Sequence, residues 1–303
     1  MPSAKANGLT FEYESFGNPA DPPILLIMGL GVQMILWPEG FCEMLAAKGF
    51  RVIRFDNRDV GLSTHLDHLG EPNVMLQYAR YLLRLRLRAP YLIDDMARDT
   101  AAILDALGIA RAHVAGASMG GMIAQNLAVL FPEKVASLTS IMSTTGARKL
   151  PPPKPYAIRA LLQASARKGD ARAAAARLKH VLRVIGSSTH PMDDRELTEF
   201  CERHARRAHN PPGQARQLLA IAASGDRTSI VRRIRAPTLV IHGREDPLLL
   251  LACGIATARA VQEGGGNARL AEIDGMGHDL PKPLWPQLVD LIAEHCRAAG
   301  ISA

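Results

Sequence analysis

The most constraining feature of the sequence is a repeated alternation between short apolar runs and segments with helical spacing. Strand-length runs lie at residues 23–28, 51–55, 135–142 and 237–242, and the first of them is apolar throughout. A solid apolar run of this length indicates a strand that is buried on both faces, as in a parallel sheet. Residues 10–16 instead alternate polar and aromatic side chains, which predicts an early antiparallel strand. The pattern as a whole predicts an α/β fold, with a mostly parallel central sheet and helices on both faces.

The alternation is interrupted over one long stretch. Residues 147–233 contain no clear buried strand and consist mainly of Ala-, Arg- and Leu-rich segments with helical spacing. We therefore expect one α/β core made of residues 1–146 and 234–303, with residues 147–233 forming a helical cap, or lid, between two strands. A shorter insertion at residues 71–90 is predicted to hold another helix.

Composition narrows the classes of function. Of the 303 residues, 48% are hydrophobic and 21% are charged, which is typical of a globular protein with a sizeable core. The formal net charge is +7, but the basic residues are scattered and form no run interleaved with aromatic residues. We therefore expect no nucleic-acid partner.

The cysteines and the N-terminal residues indicate the cellular compartment in which the protein is expected. The chain has four cysteines, at Cys42, Cys201, Cys253 and Cys296. They are far apart and form no C-x-x-C pair, so neither a zinc site nor a disulfide framework is predicted. The first residues lack the apolar region of a secretory signal, and the apolar stretches are too short to span a bilayer. We expect a cytoplasmic protein without a membrane partner; the sequence leaves the oligomeric state open, a homodimer included.

The strongest local signal is Gly116-Ala-Ser-Met-Gly120, a G-x-S-x-G pattern between a predicted strand and a predicted helix. At such a junction the serine occupies a strained turn, and the glycines on each side let the strand and the helix approach each other. Ser118 is therefore the predicted nucleophile. The alternative is an ordinary serine at a glycine-rich helix start, which the flanking strand and helix disfavour.

An activated serine needs a base, and the base needs an acid that orients it. Asp246 lies just past the carboxyl end of the predicted strand at 237–242, where functional groups of open α/β sheets gather. Asp246 is the predicted acid, and the neighbouring Glu245 is the competing candidate. The structural alternative for Asp246 is a turn former before Pro247.

His278 is the predicted base. It follows the predicted strand at 269–273 in a glycine-rich loop and completes the chain order Ser, Asp, His. The other nine histidines lack such a setting; His242 is expected in the core and His113 at the start of a strand. The remaining seven are expected in loops or on helix surfaces: His65, His68, His180, His190, His204, His209 and His295.

Two backbone N–H groups are expected to stabilise a developing oxyanion. One belongs to Met119, at the start of the helix after the nucleophile. The other belongs to Leu30, in the loop after the strand at 23–28, where glycines permit close backbone approach. Gly29 and Met142, which also follow predicted strands, are expected to contact the substrate.

These stretches together resemble the α/β-hydrolase superfamily over nearly the whole chain, and within it the bacterial esterases similar to aclacinomycin methylesterase. The matching stretches are Met28-Gly-Leu-Gly31, Phe55-Asp-Asn-Arg-Asp-Val-Gly-Leu-Ser63, Gly116-Ala-Ser-Met-Gly-Gly121, His242-Gly-Arg-Glu-Asp-Pro247 and Gly275-Met-Gly-His278. The closer likeness rests on Asp56-Asn-Arg-Asp59, Pro237-Thr-Leu-Val-Ile241 and Ala271-Glu-Ile-Asp-Gly-Met-Gly-His278. The resemblance implies a capped hydrolase without cofactor or metal, whose triad is Ser118, Asp246 and His278.

The chain departs from the superfamily pattern at two places. Met28-Gly29 replaces the His-Gly that often ends the oxyanion strand, and this change leaves a backbone donor intact. Asp59 occupies the position of a glycine in the usual D-x-R-G-x-G-x-S loop. We expect this loop to be structural, with Arg58 bonding locally.

Residues and resemblance together predict a serine esterase that acts on a small, neutral, moderately hydrophobic ester through an acyl-enzyme. The same triad could instead cleave a carbon–carbon bond next to a ketone, or make peracids as cofactor-free haloperoxidases do. From a different class, the chain could be a non-catalytic binding protein that keeps the fold. A serine as the nucleophile argues against haloalkane dehalogenase and epoxide hydrolase chemistry.

Overall fold

The computed structural model describes residues 2–83, 85–163, 166–167 and 169–300. The strands in these residues are β1 (Ser3–Ala6), β2 (Leu9–Phe16), β3 (Pro23–Ile27), β4 (Arg51–Phe55), β5 (Ala112–Ala117), β6 (Val135–Ile141), β7 (Thr238–Gly243) and β8 (Ala268–Ile273). They form one sheet in the order β1-β2-β4-β3-β5-β6-β7-β8. β1 and β2 run antiparallel to their neighbours, and β3 to β8 are parallel. The predicted, mostly parallel sheet is confirmed, and β1 is an addition to it.

Helices pack on both faces of this sheet, as predicted. The helices in the same residues are α1 (Glu39–Ala46), α2 (Val74–Leu82), α3 (Ile93–Ala106), α4 (Met119–Leu130), α5 (Pro155–Leu161), α6 (Ala171–Ile185), α7 (Asp194–Arg207), α8 (Pro211–Ser224), α9 (Thr228–Val231), α10 (Leu251–Glu263) and α11 (Trp285–Ala299). α3, α4 and α10 cover one face, and α1 and α11 cover the other. Within the described ranges, none of the helices is both long enough and apolar enough to cross a bilayer.

Strand β3 shows how the apolar runs build two cores at once. Leu25 and Ile27 belong to the apolar layer beneath α3 and α4. Ile24 and Leu26 belong to the layer beneath α1 and α11. All four side chains are fully buried, and each burial contributes roughly 1.5–3 kcal/mol. The run is apolar without alternation because both faces of the strand are covered.

Between β6 and β7, the residues that the structure describes form helices and connecting loops. Asp170 caps α6 by accepting the Ala173 N–H at 2.9 Å, and Asp193 caps α7 in the same way through Arg195 and Glu196. The apolar contact between α6 and α7 includes Ala174, Ala175, Leu197, Cys201 and Ala205. This contact is small, so α6 and α7 depend on contacts with the rest of the molecule to hold their position.

Two buried ion pairs join these helices to the loop that follows β4. Arg207 at the end of α7 lies 2.6 Å from an Asp56 carboxylate oxygen. Arg216 in α8 lies 2.6 Å from an Asp59 carboxylate oxygen, and neither side chain of this pair is exposed. Charges buried in this way are stable only when they are paired, so α7 and α8 are fixed to the loop.

Asp59 adopts a backbone conformation that usually belongs to glycine. Its φ is +69°, which is unfavourable for a residue with a side chain. The carboxylate offsets this cost by accepting hydrogen bonds from Arg216 and from the Tyr91 hydroxyl at 2.8 Å. Burial opposes the ionisation of Asp59, but these bonds and one from the Leu66 N–H outweigh it and lower its pKa.

The expectation that Arg58 bonds within its own loop is wrong. The Arg58 guanidinium instead forms a buried ion pair with Asp99 in α3, at 2.5 Å and 2.6 Å to the two carboxylate oxygens. The guanidinium also lies over the ring of Tyr91, 4.9 Å from its centroid. The loop is structural as expected, but Arg58 is held by α3, 41 positions further along the chain, and not by its own neighbours.

All four cysteines are free and buried. Cys42, Cys253 and Cys296 lie in or against the helices that cover the sheet, and Cys201 lies in the contact between α6 and α7. Burial raises the pKa of Cys42, Cys201 and Cys296 to about 12 each. Their thiols are therefore protonated, and unreactive, at neutral pH.

The buried pair predicts a large effect on stability. Arg216→Ala should lower the free energy of unfolding by about 3–5 kcal/mol, because it leaves the Asp59 carboxylate buried without its cation. The matched control is Arg195→Ala, which removes an exposed pair with Glu199 and should leave stability nearly unchanged. Denaturant unfolding of both variants measures the difference. Equal effects would contradict the role of the pair in fixing α8.

Candidate active site

Ser118 lies in the turn between β5 and α4, where the backbone is strained. Its φ is +57° and its ψ is −120°. A β-carbon built on Gly116 would lie 2.2 Å from the Gly120 carbonyl oxygen, and one on Gly120 would lie 2.1 Å from the Ile27 carbonyl oxygen. The turn can therefore form only with glycine at both positions, and it holds the Ser118 side chain out at the end of the sheet.

The structure brings Ser118, His278 and Asp246 into one hydrogen-bonded series. His278 Nε2 lies 3.0 Å from Ser118 Oγ, and His278 Nδ1 lies 2.7 Å from Asp246 Oδ2. With a proton on Nδ1, the imidazole donates to the carboxylate and can accept the serine hydroxyl proton at Nε2. The three side chains come from loops after β5, β7 and β8, whose carboxyl ends meet at one edge of the sheet.

The Asp246 carboxylate is oriented from behind by its own loop. Its Oδ1 accepts the N–H groups of Leu248 and Leu249, each at 2.8 Å, which leaves Oδ2 for the histidine. Asp246 is only 2% exposed. His242 lies beneath this loop, where its Nε2 donates to the Leu249 carbonyl at 2.6 Å, and burial lowers its pKa. His242 is therefore a neutral core residue that supports the acid loop.

Glu245, the competing acid, faces away from the imidazole and binds the loop after α6. Its carboxylate accepts hydrogen bonds from both the hydroxyls and the N–H groups of Ser188 and Thr189. The bonds from Thr189 and then Ser188 lower the pKa of Glu245 to about 2. The two neighbouring acids thus have separate contacts: Asp246 meets His278, and Glu245 meets a connecting loop.

The loop that carries His278 is in close contact with the end of α6. The His278 N–H donates to the Ile185 carbonyl at 2.8 Å, and a β-carbon on Gly277 would lie 2.4 Å from the Gly186 carbonyl carbon. Asp279 accepts the Ser187 N–H at 3.0 Å. Burial raises the pKa of Asp279 to about 6, although this bond and the charge of His278 act in the opposite direction. Sequence reasoning missed Asp279, because nothing local distinguishes it from a surface acid.

The loop after β3 passes directly beside the serine. A β-carbon built on Gly29 would lie 3.2 Å from Ser118 Cβ and 3.6 Å from Ser118 Oγ. Among the described residues, the N–H groups of Leu30 and Met119 have no hydrogen-bond acceptor. Neither N–H is therefore used by the fold, and both remain the predicted donors to an oxyanion.

Of the two residues expected to contact a substrate, Gly29 lies against Ser118. Met142 follows β6 with a φ of +40° and is 4% exposed. Its side chain packs in the apolar layer beneath α1 and α11. Contact between Met142 and a substrate remains a prediction that these packing contacts do not support.

Two of the seven histidines expected at the surface are buried, so that expectation is wrong for them. His204 in α7 accepts the Gln33 N–H at 3.1 Å, and burial lowers its pKa to about 3. His295 in α11 lies 3.2 Å from the carbonyl oxygens of Leu138 and Pro237. Both have polar partners from distant parts of the chain, which helical periodicity does not reveal.

Comparison with known proteins identifies the fold family. The sequence profile described as the alpha/beta hydrolase fold matches residues 22–279. Rhodomycin D methylesterase DnrP of Streptomyces peucetius is 30% identical over 321 aligned residues, and the match covers 97% of both chains. Rhodomycin D methylesterase DauP of Streptomyces sp. (strain C5) is 28% identical, also over 97% of both chains. Similarity of this extent relates the whole chain, helical segment included, to those proteins.

A solved structure shows the same architecture. The enol-lactonase from Burkholderia xenovorans LB400 superimposes with a TM-score of 0.74 and covers 98% of this chain and 100% of its own. The two sequences are 23% identical, so this likeness concerns the fold alone.

Because Asp246 and Glu245 have different contacts, replacing each by its amide should affect kcat differently. Asp246→Asn should lower kcat by about 10⁴-fold, because an amide no longer fixes the His278 tautomer. Glu245→Gln should cost far less, since its contacts are with Ser188 and Thr189. Steady-state ester hydrolysis by both variants tests the ranking, and the reverse order would move the acid role to Glu245.

Proposed function

The chain belongs to the alpha/beta-hydrolase fold family, and we propose that this esterase cleaves neutral, moderately hydrophobic carboxylic esters with Ser118, His278 and Asp246 as its catalytic triad. The observation that carries the proposal is the continuous series of hydrogen bonds from Ser118 Oγ through both ring nitrogens of His278 to Asp246. Two relatives that match along almost their whole length are named methylesterases, which favours ester cleavage within the family.

The reaction proceeds in two halves. His278 Nε2 takes the proton of Ser118 as Oγ attacks the ester carbonyl carbon, and Asp246 stabilises the resulting imidazolium. The carbonyl oxygen becomes an oxyanion that accepts hydrogen bonds from the N–H groups of Leu30 and Met119, each worth about 2.7–4 kcal/mol. The alcohol leaves with the proton from His278. Water then gives a proton to His278 as it attacks the acyl-enzyme, and His278 returns that proton to Ser118 Oγ as the acid leaves.

The helices between β6 and β7 act as the cap over this site. α6 ends against the loop of His278, and α7 and α8 are held by the loop after β4. These contacts support a cap formed by residues 147–233 at the edge of the sheet where Ser118 lies. A substrate would therefore bind between this cap and the serine, out of bulk water.

The charges at this end of the sheet favour an uncharged ester. Arg207 and Arg216, the arginines that the cap brings to the loop after β4, are each paired with an aspartate. The predicted oxyanion donors Leu30 and Met119 have apolar side chains, which are partly and fully buried, respectively. Burial of an apolar acyl group contributes about 0.8 kcal/mol per methylene, whereas burial of an unpaired charge is costly.

Removal of the nucleophile is the first test. Ser118→Ala should lower kcat for p-nitrophenyl butyrate by about 10³-fold or more and abolish labelling by a fluorophosphonate probe. The control is Ser137→Ala, which removes another buried hydroxyl, one that contacts His113 in the sheet. Its activity should persist. Wild-type rates in Ser118→Ala would exclude the nucleophile assignment.

A panel of esters tests the substrate class. The values of kcat/KM should peak between acetate and palmitate in a series of p-nitrophenyl esters, because a closed cap desolvates a moderate acyl chain and excludes a long one. The charged control is a succinate half-ester, which should react slowly. A vinylogous diketone and a peroxide assay in the same panel cover carbon–carbon cleavage and peracid formation. A best rate on palmitate or on the charged ester would show that the pocket is of a different kind.

A further inference from the structure

The peptide that presents the Leu30 N–H is held from both sides by side chains. On one side, Asn57 Nδ2 donates to the Met28 carbonyl oxygen at 2.9 Å. On the other side, the Gly31 N–H donates to Gln217 Oε1 at 2.8 Å. The two bonds fix the peptide groups immediately before and after the one that carries the Leu30 donor, and so they limit its rotation.

The side chain of Gln217 is itself held in one orientation. Its Nε2 donates to the Arg58 carbonyl oxygen at 2.7 Å, while its Oε1 accepts the Gly31 N–H. A flipped amide would set two donors against each other at Gly31 and two acceptors against each other at Arg58. Gln217 is 0% exposed, so water cannot replace either bond. The amide therefore joins the loop after β4 to the loop after β3.

Gln217 reaches this position because α8 is docked on the core. The preceding residue, Arg216, forms the buried pair with Asp59. At the start of α8, Asn210 Nδ2 donates to the Asp59 carbonyl oxygen at 3.0 Å. Asp59 adopts the strained φ of +69° that permits both contacts. The residue that replaces the usual glycine thus anchors the helix that carries Gln217.

We infer that Gln217 is a positioning residue for the oxyanion hole: it aims the Leu30 N–H at the substrate carbonyl, so the hole is complete only when α8 is docked. The inference rests on the proposed esterase function. It assigns a second task to the cap, since a segment that covers the substrate also sets the geometry of the reacting centre. Gln217 acts through the backbone and is not itself required to touch the substrate.

The test is Gln217→Met, which keeps the length of the side chain and removes both the acceptor and the donor. The matched control is Gln214→Met on the same helix; Gln214 also lies against Gly31 but is partly exposed. For each variant, active sites are titrated with a fluorophosphonate, so that kcat refers to folded, reactive serine only. Inhibition by an alkylboronic acid, which forms a tetrahedral adduct with the serine, reports on oxyanion binding directly.

A Leu30 N–H that points away from the oxyanion should weaken binding of the transition state more than binding of the substrate. For Gln217→Met we expect kcat to fall about 10- to 100-fold with KM changed less than about 3-fold, because loss of a whole donor costs about 10²–10³. The inhibition constant of the boronic acid should rise in parallel. Gln214→Met should match the wild type in both.

The outcomes separate this inference from the proposed function. If Gln217→Met yields no folded protein, Gln217→Asn keeps a polar amide but is one methylene too short, and the same losses are expected. Titrated kcat values equal to those of Gln214→Met, with unchanged boronate affinity, would overturn the positioning role while leaving the esterase intact. A wild-type protein whose Ser118 is not labelled and which cleaves no ester would overturn both.

Discussion

The backbone contact between the turn at Ser118 and the end of β3 is the constraint on which the rest of the site depends. Gly120 approaches the Ile27 carbonyl oxygen so closely that any β-carbon there would overlap it. This closeness sets the loop after β3, at Gly29, beside the serine hydroxyl. The neighbouring strands β7 and β8 then need only short loops to bring an acid and a base to the same edge.

The features that could be predicted from the sequence are those marked by a pattern of a few consecutive residues. Ser118 is marked by its glycines, and Asp246 and His278 by their places directly after apolar runs. The carboxyl ends of parallel strands share one edge of a sheet, so local positions after strands translate into proximity in space. The pairing of Asp246 with the imidazole, against its neighbour Glu245, depends on side-chain direction and becomes visible only in three dimensions.

The features that sequence reasoning missed are contacts between distant segments. Arg216 and Gln217 are of residue types that are mostly exposed in proteins, yet both are fully buried in α8. Their partners, Asp59 and Arg58, lie more than 150 positions earlier in the chain. Periodicity reports which side of a helix is apolar, but it does not say which loop meets the polar side. The short strand β1 escaped for another reason: its four residues are too few to show alternation.

The four buried thiols can report how fast different parts of the structure open locally. Cys201 reports on the contact between α6 and α7, whereas Cys42 and Cys296 report on the face of the sheet that α1 and α11 cover. A buried, protonated thiol reacts with an alkylating reagent only after its surroundings open. The rates at which these cysteines are alkylated would therefore give the local opening rates of cap and core separately, in the protein without substitutions.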